Sequence, residues 1–73
     1  MSENKMFHFK HSDAGITFIG WNDEEKVYST DYYMNVGLMN AEESKPTKYK
    51  EVKRLTQVCI AKGYKQVSYL PRR

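Results

Sequence analysis

The sequence predicts a small α+β fold: an antiparallel sheet of three to four strands, covered on one face by a single C-terminal helix, in the order β-β-β-α-β. Three observations predict it. The first half holds short segments of alternating polarity rich in β-branched and aromatic residues. The second half holds one apolar stripe at helical spacing, from Tyr49 to Ile60. The chain has 73 residues, enough for one domain with one small core. Residues 1–5 read as a flexible N-terminus, 6–70 as the domain and 71–73 as a basic tail.

In "MFHFK", Phe7 and Phe9 fall on one side and Met6, His8 and Lys10 on the other, the period of a half-buried strand. "HSDAG" is turn chemistry ending at Gly15. "ITFIGW" reads as a central strand, and Gly20 inside it marks a bulge or a close backbone approach. "NDEE" is a polar turn, and "KVYSTDYYM" is a third strand. These three form a meander. "NVGLMNAEESKP" carries no clear period. Pro46 suits a helix start, with Ser44 or Thr47 as the residue that caps the free amides. From Lys48 the apolar positions Tyr49, Val52, Leu55, Thr56, Cys59 and Ile60 form one stripe, opposite Lys50, Lys53, Arg54 and Gln57. Gly63 is a left-handed stop. "KQVSYLP" reads as a short last strand ended by Pro71.

Catalysis and metal binding find no support in these residues. The four glycines are scattered and build no phosphate loop. His8 and His11 stand three apart, which in a strand sends them to opposite faces, and no third ligand is close in sequence. Cys59 sits in the apolar stripe, where burial keeps a thiol inert. Glu24 with Glu25, and Glu42 with Glu43, lie in turn-like stretches that solvation explains. No enzyme, metal or cofactor is expected. One cysteine forms no internal disulfide and fits a reducing compartment. "MSENKMFHFK" lacks a signal-peptide core, and no apolar run reaches membrane-spanning length. A cytoplasmic monomer is expected.

Charge and aromatic content point to binding. Residues 1–43 carry three lysines against eight acids; residues 44–73 carry nine lysines and arginines against Glu51 alone. Such division bears on partners and steering rather than on fold, although the two halves can also neutralise each other. Three Phe, six Tyr and one Trp are many for a sheet with one covered face. Phe18, Trp21 and Tyr28 read as core, while Phe7 and Phe9 are divided between core and contact. As a first strand near a free terminus, "KMFHFK" also reads as an edge open to a partner.

Two readings follow. In the first, a protein-binding regulator docks through Lys5, Met6, Phe7, His8, Phe9 and Lys10. In the second, a nucleic-acid-binding domain, or one facing an acidic partner, uses Lys50, Lys53, Arg54, Arg72 and Arg73. The sheet carries Asp13, Asp23, Glu24, Glu25 and Asp31, which repel phosphates and place nucleic acid second. In size, charge division, "MFHFK" strand and basic helix, the chain resembles the very small proteins that lytic bacteriophages make to seize the host RNA polymerase. That resemblance implies direct binding to bacterial RNA polymerase in the host cytoplasm. It implies inhibition of initiation, antitermination or both, with "KMFHFK" as the polymerase contact.

Overall fold

A computed structural model describes residues 3–31 and 44–71. The fold is α+β, with one sheet and one helix. Strands β1 (Lys5–Lys10), β2 (Ile16–Asn22) and β3 (Val27–Ser29) form the expected antiparallel meander. β4 (Lys45–Pro46) precedes helix α1 (Tyr49–Ala61), and β5 (Lys65–Gln66) follows it. The sheet has five strands in the order β4-β1-β2-β3-β5, and both outer pairings are parallel. It is therefore mixed rather than wholly antiparallel, because the chain returns to each margin after a long excursion. Among the described residues, no helix is long and apolar enough to cross a membrane.

β1 is not the free edge that its position near the terminus suggested. Phe7 and His8 pair with Lys45 and Pro46, and the Thr47 N–H donates to the His8 carbonyl at 2.8 Å. Nor are Asn4 and Lys5 loose. Asn4 donates through Nδ2 to the Pro71 carbonyl at 2.8 Å and accepts from Asn22 Nδ2 at 3.0 Å, while Lys5 begins β1. The third strand stops at Ser29; Tyr32, Tyr33 and Met34 lie outside the described residues, as does most of the stretch 34–46.

The sheet is covered on both faces. On one, Val52 and Cys59 of α1 pack on Ile19 and Tyr28, ringed by half-buried Phe7, Phe9, Trp21, Leu55 and Tyr64. Phe7 and Trp21 stack there with ring centroids 5.9 Å apart. On the other, Met6, Phe18 and Leu70 form a second cluster with Ile16 and Val27. The C-terminal segment crosses this face, held by Leu70 and by the Ser29 hydroxyl, which donates to the Ser68 carbonyl at 3.2 Å. The aromatics are therefore not in surplus. Among the described residues, only Tyr49 and Tyr69 leave large aromatic surface exposed.

Gly20 is a close approach, as its sequence context suggested. A Cβ there would lie 2.6 Å from Leu70 Cδ1 and 2.8 Å from Phe18 Cζ. Gly20→Ala is expected to push Leu70 off its seat and lower stability by about 1–3 kcal/mol, the usual cost of overpacking. A urea midpoint equal to wild type would show that Leu70 yields freely.

The helix phase is as read at its centre, where Val52 and Cys59 are buried and Lys50, Lys53, Arg54 and Gln57 are exposed; Tyr49 and Ile60, at the ends of the expected stripe, are exposed instead. Its start differs. Lys48 is the N-cap and makes no side-chain cap, so neither Ser44 nor Thr47 serves. Pro46 lies in β4, and Ser44 instead meets His8 Nδ1 at 2.7 Å. The end is as read: Gly63 takes φ +78°, its N–H donates to Ile60 and that of Tyr64 to Cys59, a Schellman stop.

Candidate functional site

The two β1–β2 ends of the molecule differ in charge, because α1 runs back along β1. At one end, the turn after β2 brings Asp23 to the helix stop. Tyr64 donates its hydroxyl to Asp23 at 2.6 Å, and Lys5 pairs with the same carboxylate at 3.3 Å. Lys62 adds a favourable field at Asp23 and lies over the Tyr64 ring at 5.6 Å. Of the acidic half, Asp23 is thus balanced here, by Lys5 and by the field of Lys62.

The Tyr64 bond, helped by Lys5, holds the Asp23 carboxyl below its ordinary range. The same bond pushes the Tyr64 phenol up to about 12. Asp23 titrates lower folded than unfolded, so its contribution is present above the ordinary carboxylate range and fades as pH falls through the lowered value. Tyr64 titrates higher when folded, so its contribution is complete below pH 10.0 and lost as pH rises through about 12. Asp23→Asn is expected to bring the Tyr64 titration back toward about 10. Ultraviolet titration of the tyrosines reads this, and an unchanged curve would refute the bond.

At the other end, β1 leads into a single 3-10 turn, Ser12–Ala14, that folds His11 back toward the helix. His11 Nε2 meets Thr17 Oγ1 at 2.5 Å. Its ring stands edge-on to Phe9 at 4.8 Å and to Tyr49 at 5.3 Å, and Phe9 meets Tyr49 at 5.9 Å. Lys53 Nζ lies 5.8 Å from the centre of the Tyr49 ring, which is 42% exposed. Lys48 and Lys50 flank Tyr49 in the chain, and Lys10 sits between Phe9 and His11; all three are exposed. Neither of the two described ion pairs engages Lys10, Lys48, Lys50 or Lys53.

This corner keeps only part of the expected contact set. Met6 is buried in the second cluster, Phe7 lies in the helix-side core, His8 turns to Ser44 and Lys5 to Asp23. Of "KMFHFK", only Phe9 reaches the corner; Lys10 alternates to the other side of β1, in register with Ile16 of the second cluster. Of the basic set, Lys50 and Lys53 remain available. Arg54 is held by Glu51 through two bonds, at 2.9 and 2.6 Å, and Arg72 and Arg73 lie outside the described residues. The Glu-x-x-Arg spacing was visible in the sequence and could have withdrawn Arg54 in advance. The meeting of His11 and Tyr49 was not foreseen, since nothing local announces a ring contact across 38 residues of chain.

The first turn holds Lys50, which opposes the helix dipole, beside Glu51, which suits it by about 0.3–1 kcal/mol. Among the described residues, no three His, Cys, Asp or Glu side chains gather as metal ligands. Burial pushes the Cys59 thiol up, away from the reactive thiolate. No protein family, curated protein or solved structure matches this chain.

Proposed function

We propose that the protein is a non-enzymatic regulator that docks on a larger protein through the Phe9–His11–Tyr49 corner and its lysines. The observation that carries this is the half-exposed Tyr49 ring, packed edge-on by two rings, with Lys53 Nζ 5.8 Å from its centre and engaged by neither described ion pair. A rigid aromatic anchor inside a charged rim is the pattern of a contact hot spot. The lysines select an acidic partner surface and speed encounter with it. The resemblance to phage regulators makes bacterial RNA polymerase the partner, with inhibited initiation, antitermination or both as the outcome.

Immobilised protein is expected to retain purified RNA polymerase at moderate salt. Tyr49→Ala combined with Lys50→Glu should weaken capture by at least about tenfold, or roughly 1.4 kcal/mol, while the double variant still melts cooperatively. Polymerase passing unretained, with tight and steeply salt-dependent binding of DNA or RNA instead, would overturn the reading in favour of nucleic acid.

A further inference from the structure

The exposed ring of the corner has a counterpart farther along the helix. Ile60 is 48% exposed and Tyr49 42%, the two large apolar side chains that α1 leaves open to solvent. They stand eleven residues apart, three full turns plus about 20°, so both lie on one flank, about 16 Å apart along the axis. Lys53 and Thr56 stand between them and complete steps of four, three and four residues. That is the spacing of a seam on which a second helix packs. Lys53 is exposed and Thr56 half-buried.

This flank is cationic. Lys53 lies in the seam with its Nζ 5.8 Å from the centre of the Tyr49 ring, and Lys50 lies on the outer rim. Neither described ion pair engages either lysine. The one acid of α1, Glu51, lies on the opposite flank and is held by Arg54. A second copy of the chain is therefore a poor occupant. Laid antiparallel along the seam, it would set each Tyr49 on the other Ile60. It would also bring the two Lys53 ammonium groups within about one turn of each other along the axis, which like charges oppose. An acidic helix meets the same row with opposite sign.

We infer that the Tyr49–Lys53–Thr56–Ile60 flank of α1 receives an acidic amphipathic helix of the partner protein, its apolar stripe on Tyr49 and Ile60 and a carboxylate on Lys53. The inference rests on the docking reading but is tested on the free protein. The probe is a capped helical peptide of about four turns, with Leu along one stripe, Glu beside it and Ala behind, followed by amide chemical shifts. Shifts should concentrate at Tyr49, Lys53, Thr56 and Ile60, and a peptide with Lys in place of Glu should produce none there. Ile60→Gln keeps a good helix former at an exposed position, so the variant should melt as wild type. It should bind the peptide at least about fivefold more weakly, as loss of an apolar anchor does. Lys53→Gln should weaken binding about two- to fivefold, the scale of an exposed ion pair.

No shift from the acidic peptide, equal shifts from the basic or a scrambled peptide, or Ile60→Gln binding as wild type would each overturn the inference. Shifts of the same residues on concentrating the free protein would assign the flank to a second copy and overturn it as well. Polymerase capture separates the two readings. If Tyr49→Ala with Lys50→Glu loses capture while Ile60→Gln keeps it, the corner stands and the helix-on-helix contact falls. If the acidic peptide binds as described while polymerase is never captured, that contact stands and the polymerase reading falls.

Discussion

A chain beginning at Lys10 is expected not to fold. Removing residues 1–9 deletes most of β1, which pairs with β2 across six positions, from Lys5 with Trp21 to Lys10 with Ile16. β4 then loses the strand it pairs with. The deletion also takes Met6 from one core and Phe7 and Phe9 from the other. Full burial of one such side chain contributes ~1.5–3 kcal/mol, so buried Met6 with half-buried Phe7 and Phe9 contributes on the order of 3–6 kcal/mol. A domain of this size has only about 4–11 kcal/mol in total. The shortened chain should show no cooperative thermal transition by circular dichroism and collapsed amide dispersion by NMR. A sharp melt would mean that β1 is dispensable and that the terminal-contact reading from the sequence deserves restoring.

Phe18→Ala should cost about 3–5 kcal/mol, at the top of the range for single core truncations. Phe18 is 2% exposed and ties Met6, Leu70, Ile16 and Val27 together. Its ring also lies where a Gly20 Cβ would fall, so its loss opens space that Leu70 alone cannot fill. Urea denaturation should show a midpoint reduced by half or more, with β1–β2 amides exchanging early. A loss under about 1 kcal/mol would place the second cluster outside the true core, because such small changes are typical of surface substitutions.

The helix was legible because its signals are local. The stripe through Val52 and Cys59 set its phase, and Gly63 set its end. β1 was legible from its period of 2, and β2 from its run of β-branched and aromatic residues. The sheet's margins were not. β4 and β5 are two residues long, too short for any period, and each is defined by a pairing with a distant strand. Without Lys45 and Pro46 beside it, β1 looked open, and Phe7 looked available as a contact. Without Leu70 on the far face, the aromatics looked too many. Lys50 and Lys53 were found because a helical wheel shows which positions face outward. His11 was not, because its orientation depends on the backbone of Ser12, whose φ of 53° no sequence pattern announces.

The two-residue margins have a consequence for the protein at high concentration. Lateral growth into fibrils needs a long, flat strand with unpaired amides to act as a template. Here the outermost positions are Lys45 and Pro46 on one side and Lys65 and Gln66 on the other. Proline donates no amide hydrogen, and stacked lysines repel. Among the described residues, these two margins offer crowded copies little ladder to extend.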